Sequence, residues 1–201
     1  MEYSFSDQQW LTEEELDSEI NEQGKVYLGL HVFNNWKKVL NINECWLQSE
    51  ISNQILNLVR EFARKNSIPP YSPEHRKGYF RNLVIREGKN TNEVMVNIVS
   101  FEDNESIMQQ LFSELTKEIP QITTVVNTIN SEIAQVARGT IEHTYFGKGF
   151  ITDTIGKYHF KISPQSFFQT NTLQAEKLYT VTKEFADLDS NDVVYDLYCG
   201  T

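Results

Sequence analysis

Two short stretches near the C-terminal end carry residue types suited to chemistry on a flat polar ring. The first is Phe167-Phe168-Gln169-Thr170-Asn171. A phenylalanine stacks on a base, and a glutamine amide both donates to and accepts from a base edge. The second is Asp196-x-x-x-Gly200, which follows the apolar run Val193-Val194-Tyr195. A glycine there lets backbone approach a ligand closely. Open parallel sheets hold their ligands beyond the carboxyl ends of the strands, where this turn would lie. Plainer readings stand beside both. Asn171 can cap a helix with Gln174 at its third position, the phenylalanines can be core, and Asp-x-x-x-Gly turns are common.

The other chemically capable residues form no comparable pattern. His31, His75, His143 and His159 show no metal-ligand spacing, and neither His-x-x-x-His nor Cys-x-x-Cys occurs. Cys45 and Cys199 are too few for a disulfide framework and fit a reducing, cytoplasmic setting. One basic concentration exists, His75-Arg76-Lys77 with Arg81, Arg86 and Lys89. Phosphate contact by Arg76, Lys77 and Arg81 is one reading of it, and a solvated hairpin is the other. In an alternating strand Arg81 and Arg86, five residues apart, fall on opposite faces and make no simple stripe.

These residues need elements to position them. The chain has 201 residues, 39% apolar and 23% charged, a balance that buries a core and excludes wholesale disorder. No run of about 18 apolar residues is present, so no membrane-spanning helix is expected. The N-terminus lacks the basic start and apolar stretch of a secretory signal. A net charge of −10 argues against a broadly basic nucleic-acid surface and leaves room for a local patch.

Along the chain, an acidic helix is expected near residues 12–22, with Thr12-x-x-Glu15 as a capping box. Strands are expected at 25–32 and 36–42, with Gly29 marking a bulge or close approach. Leu47, Ile51, Ile55, Leu58 and Phe62 form one helical stripe within 44–66, ended by Pro69-Pro70. Residues 79–86 and 94–101 alternate as strands around Gly88-Lys89-Asn90, which predicts a hairpin. A helix over 105–118 and a strand over 122–129 follow, then short antiparallel strands within 140–161 with turns at Gly147 to Gly149 and at Gly156. A helix over 173–188, with Leu173, Leu178, Val181 and Phe185 on one side, precedes a buried-type strand at 193–197. A helix, a strand and a glycine turn are how an open parallel sheet begins, and one strand cannot complete it.

Taken together, the two C-terminal stretches are similar to the RNA uracil-5-methyltransferase family. The likeness rests on Phe-Phe-Gln-x-Asn, on the helix with Gln174-Ala175-Glu176-Lys177-Leu178-Tyr179, and on Val194-Tyr195-Asp196-Leu197-Tyr198-Cys199-Gly200-Thr201. Looser likeness extends upstream to Glu44-Cys45-Trp46-Leu47-Gln48, to Gly78-Tyr79-Phe80-Arg81, to Tyr145-Phe146-Gly147 and to Ile155-Gly156. The resemblance implies an α+β chain. Residues 1–162 would be a central domain with a mixed, largely antiparallel sheet and two amphipathic helices. Residues 163–201 would open a truncated Rossmann-like methyltransferase domain.

By resemblance, the activity is methylation of carbon 5 of uridine in ribosomal RNA or tRNA, with S-adenosylmethionine as methyl donor. Gln169, Tyr198, Asp196 and Gly200 would face that cofactor. Phe167, Gln169 and Asn171 would face the uracil, with Arg76, Lys77 and Arg81 as phosphate contacts. The family's nucleophilic cysteine and base have no counterpart before Thr201, so no catalytic residue is assigned and the chain is expected to be inactive alone. Cys199 is not that nucleophile by position. Cys45 resembles the last of four cysteines that hold an iron–sulfur cluster in some members. One thiolate cannot hold a cluster, so that cofactor would belong only to a longer protein. Competing readings are a non-catalytic RNA-binding or scaffolding module, and a methyltransferase fragment acting on protein or a small molecule. A half-built sheet also predicts that residues 190–201 either pack on the central domain or are mobile, with pairing to another copy open to them.

Overall fold

A computed structural model describes residues 1–11, 25–134, 136–195 and 197. The acidic helix and capping box expected over 12–22 lie outside the described residues. Strand β1 (Glu2–Ser6) starts the chain, followed by β2 (Tyr27–Val32), β3 (Asn35–Asn41) and helix α1 (Glu50–Lys65). The hairpin β4 (Phe80–Glu87) and β5 (Val94–Ser100) leads to α2 (Glu105–Glu118), β6 (Thr124–Ile129) and β7 (Ile141–Phe146). The hairpin β8 (Ile151–Ile155) and β9 (Tyr158–Ile162) precedes α3 (Thr172–Ala186). The first seven strands form one sheet in the order β3-β2-β1-β4-β5-β6-β7, and β8 with β9 forms a second. Among the pairs of strands named above, only β5 and β6, joined by the α2 crossover, are parallel. The architecture is α+β with a mixed, mostly antiparallel sheet.

Alternation decides the two faces of the sheet. Tyr3, Leu28, Leu83, Ile85, Val96 and Ile98 point to one side and bury against Ile55, Leu56 and Val59 of α1 and Met108, Leu111 and Leu115 of α2. Each such side chain contributes roughly 1.5–3 kcal/mol on burial, which makes this the principal core. A smaller cluster on the other side joins Met95 and Val126 to Ile151 and Ile162, with Phe168 packed against it. That cluster seats the β8–β9 hairpin on the sheet.

Strand β1 is absent from the sequence reading, although Tyr3 and Phe5 alternate and are buried. It lies between β2 and β4, with Ser4 opposite both Gly29 and Asn82. The expected helix over 44–66 begins at Glu50, because the Ser49 hydroxyl caps it by accepting the Ser52 N–H at 3.1 Å. Leu47 therefore falls outside the helix and is exposed, whereas Ile55 and Phe62 of the same stripe are buried. Gly29 is a close approach: a Cβ there would sit 1.8 Å from the Leu40 carbonyl oxygen.

Over 193–195 the expected strand is not formed. Val193, Val194 and Tyr195 are exposed and lie in no strand. A strand without a hydrogen-bonding neighbour has nothing to hold it extended. Leu173, Leu178, Val181 and Phe185 of α3 are likewise exposed, and the helix buries only Thr172 and Ala175. No helix among the described residues is long and apolar enough to cross a membrane.

Candidate functional site

The segment between β9 and α3 is held at both ends and in the middle. At its start, the Ser163 N–H donates to the Ser166 hydroxyl at 3.1 Å, closing a tight turn. Pro164 is buried, and its carbonyl accepts from Arg86 Nε at 3.2 Å. Gln165 Nε2 donates to the Gly139 carbonyl at 3.0 Å and to Glu142 Oε1 at 2.7 Å. At its end, Asn171 caps α3 by accepting the Gln174 N–H at 3.2 Å. Thr172 then donates its hydroxyl to Asp153 Oδ2 at 2.9 Å.

Between these anchors the side chains alternate. Phe168 turns inward onto the Met95, Val126, Ile151 and Ile162 cluster, its ring 5.4 Å from that of Phe160. Phe167 is 69% exposed and Gln169 is exposed. Gln169 makes no hydrogen bond to any described residue, so its amide is free to pair. One phenylalanine is thus core and the other is available for stacking. Asn171 does what its plainer reading required, with its carbonyl oxygen engaged in the cap.

Asp153 is the anchor that sequence reasoning missed. It is fully buried, yet it sits in a nest of donors. Oδ2 accepts from Lys89 N–H at 3.0 Å and from Thr172, and Oδ1 accepts from Asn90 N–H at 2.9 Å and Thr154 N–H at 2.9 Å. No salt bridge to it is present among the described residues. Backbone N–H groups satisfy a carboxylate in this way without a counter-ion. The carboxylate ties the β4–β5 loop, strand β8 and the start of α3 into one block. A signal existed: in Ile151-Thr152-Asp153-Thr154-Ile155 the acid shares parity with two buried isoleucines.

The basic residues divide. Arg81 is buried, and its guanidinium donates to the carbonyls of Asn130 at 2.8 Å, Glu132 at 2.6 Å and Ala134. It also lies 4.4 Å over the Tyr71 ring, which stacks on Phe101. Burial pulls its pKa below the ordinary arginine value, with Tyr71 and Glu132 opposing. Arg81 pins the loop after β6 instead of meeting phosphate, because three fixed carbonyls already occupy its fork. A register shift between Phe80 and Asn82 also removes it from simple alternation. Arg76 and Lys77 are exposed, on the loop that enters β4. Arg86, which holds Pro164, lies six residues along β4 from Phe80, about 20 Å at strand rise. Arg76 and Lys77 are therefore not gathered beside Phe167 and Gln169.

Asp196, Tyr198 and Gly200, expected at the cofactor, lie outside the described residues, as does Cys199. Cys45 is half-buried, and its N–H donates to Asn53 Oδ1 at 2.9 Å. Burial, with Cys45 beside it, pushes the Tyr3 hydroxyl above its ordinary range. That hydroxyl donates to Gln48 Oε1 at 2.7 Å. No group of three or more metal-ligating side chains occurs among the described residues.

No protein-family model matches the chain. An uncharacterized RNA methyltransferase of Chlorobaculum tepidum is 38% identical over all of this chain and 42% of its own length. One from Bacteroides thetaiotaomicron is 35% identical over all of this chain and 45% of its own. Among solved structures, Pyrococcus abyssi tRNA (uracil-54, C5)-methyltransferase, in complex with S-adenosyl-L-homocysteine, superposes with a TM-score of 0.64. It is 30% identical and covers 79% of this chain and 38% of that one. The chain spans less than half the length of each of these proteins.

Proposed function

We propose, from a chain similar in sequence to RNA methyltransferases and in fold to a tRNA uracil-5-methyltransferase, that its parent protein methylates carbon 5 of a uridine in RNA. The observation that carries this reading is the outward pair Phe167 and Gln169 on a backbone clamped at Pro164, Gln165 and Thr172. A ring to stack on and an unpaired amide, held rigidly, suit an extruded base. The solved neighbour acts on tRNA by its name, which makes tRNA the first substrate to assay.

The chemistry sets what these residues do. Carbon 5 of uracil is a poor nucleophile, and a thiolate adding at carbon 6 activates it. In this reading the thiol and the base come from parts of the protein that this chain does not include, and the chain alone is inactive. S-adenosylmethionine supplies the methyl group when bound. In this reading Gln169 faces that cofactor together with Asp196, Tyr198 and Gly200. Gln169 fixes the edge of the uracil, and Phe167 fixes its plane. Asn171, through the α3 cap, and Asp153, through Thr172, keep both in register. Residues 163–201 then form the opening of the catalytic domain, with α3 laid on β8.

The test is methyl transfer to a tRNA transcript by a protein as long as its relatives. Gln169→Ala is expected to lower turnover about a hundredfold, the usual effect of a misplaced reactant, with the melting temperature unchanged. Equal turnover in the two proteins removes Gln169 from the mechanism.

A further inference from the structure

Far along the sheet from Phe167, the β2–β3 hairpin carries aromatic side chains that the fold does not use. Phe33 at its tip is 90% exposed and Trp36 is 52% exposed. The turn itself is made by Asn34 in the left-handed region (φ 58°), so Phe33 is not needed to close it. Trp10 lies beside the edge strand, where its N–H donates to the Val39 carbonyl at 2.8 Å. Its ring is also partly exposed.

Cations accompany the rings. Lys37 Nζ lies 5.3 Å from the Trp36 ring centre, and Lys38 Nζ lies 5.8 Å from that of Trp10. A shallow groove runs from Trp36 and His31 to Ser72, Pro73 and Glu74. The loop beyond it carries exposed Arg76 and Lys77. Lys37 bridges the groove to Glu74 at 2.5 Å, so hairpin and loop are joined. Lys38, Arg76 and Lys77 have no salt-bridge partner among the described residues.

We propose that the β2–β3 hairpin and the loop 72–77 form a platform on which bases of single-stranded RNA stack, with Phe33 and Trp36 as the rings and Lys38, Arg76 and Lys77 at phosphate. The inference rests on the RNA reading above and adds a contact region remote from the reacting base. Exposed rings interleaved with unpaired cations are what sequence-tolerant single-strand binding uses. The carboxylates lining the groove are Asp7 and Glu74. They make stacking, rather than charge, the larger share of the affinity.

The experiment titrates a fluorescein-labelled twelve-residue oligouridylate into the 201-residue chain at several salt concentrations. The wild type is expected to bind with tryptophan quenching and a log–log salt slope near −2, from three phosphate contacts at about −0.7 each. Phe33→Ala with Trp36→Ala is expected to weaken binding at least tenfold, at unchanged circular dichroism and melting temperature. Replacing Lys38, Arg76 and Lys77 by alanine is expected to flatten the salt slope while quenching persists. A folded Phe33/Trp36 variant that binds as tightly as wild type overturns the proposal. So does a wild type that fails to bind, or one that binds an abasic strand equally well. Methyl transfer by the longer protein is scored separately. If it proceeds and the hairpin variant has no RNA-binding defect, only this inference fails. If no RNA is methylated while the hairpin still binds oligouridylate, the enzymatic reading fails and the platform stands.

Discussion

Removing the Asp153 carboxylate is the sharpest test of how the Phe167–Gln169 segment is held. Three donors from elsewhere in the fold converge on it: Lys89 N–H, Asn90 N–H and the Thr172 hydroxyl, at 2.9–3.0 Å. A hydrogen bond to a charged group contributes about 1.5–3 kcal/mol, and an orphaned buried donor costs about 1–3 kcal/mol. Lys89 and Asn90 are exposed residues, so water can replace the carboxylate at their N–H groups. Thr172 is 2% exposed and has no such substitute. The sum for Asp153→Ala is then about 3 kcal/mol, well below three full penalties. Asp153→Asn retains one acceptor oxygen but turns an NH2 toward donors, and is expected to cost about 2 kcal/mol. Thr172→Val keeps the shape, removes one donor, and costs about 1 kcal/mol. Urea unfolding followed by circular dichroism measures each, and a double-mutant cycle measures the coupling between residues 153 and 172. Hydrogen exchange should quicken at Lys89, Asn90 and the first turn of α3 in Asp153→Ala and nowhere in α1. A loss below 0.5 kcal/mol, or a coupling of zero, would refute the view that this carboxylate clamps the segment.

Other expectations follow from the same geometry. Phe168→Ala should cost about 3 kcal/mol in unfolding free energy, as a large side chain removed from a packed cluster. Phe167→Ala should cost under about 0.5 kcal/mol, as an exposed one; equal losses would contradict the inward and outward assignment. Arg81→Lys should destabilise by about 2 kcal/mol because a single ammonium cannot serve three carbonyls. In an RNA filter-binding assay the folded fraction should keep its affinity, whereas a matching loss of affinity would restore Arg81 as a contact. Glu87 supplies a pH test. Burial alone would raise its carboxyl pKa, but hydrogen bonds from Lys89, Ser49 and Ser52 outweigh that and hold it below the ordinary value. Its contribution is therefore present above the unfolded carboxylate pKa and is lost as pH falls through the lower folded one. Glu87→Gln should be less stable than wild type at pH 7, and the gap should close in acid. A gap that is constant across pH 2–7 would disprove the linkage.

Much of this architecture was legible without coordinates, and the reason is locality. The stripe of Ile55 and Phe62, the Gly88-Lys89-Asn90 turn, the Asn171 cap and the left-handed glycines at 147, 149 and 156 depend on neighbours a few residues away. Strand β1 escaped because its five residues mean little alone: its partners come from β2 and from β4, about 80 residues on. Leu47 fitted the helical stripe by spacing, but the Ser49 cap starts the helix after it. The run at 193–195 reads as a buried strand, and without a neighbouring strand it is neither buried nor a strand.

The same division governs the candidate site. The sequence alone determined that an aromatic pair, an amide and a helix cap stand in a row at 167–171, and that residue types there suit a base. Only tertiary packing decided that Phe168 is core and Phe167 is not, because burial is a relation to Met95, Val126 and Phe160 rather than a property of phenylalanine. Only packing turned Arg81 from a phosphate candidate into a brace for three carbonyls, and made a carboxylate in a short strand the anchor of a helix. A charge or a ring has its chemistry from its own atoms. Whether that chemistry is already satisfied depends on groups that folding brings from 19 to 64 residues away.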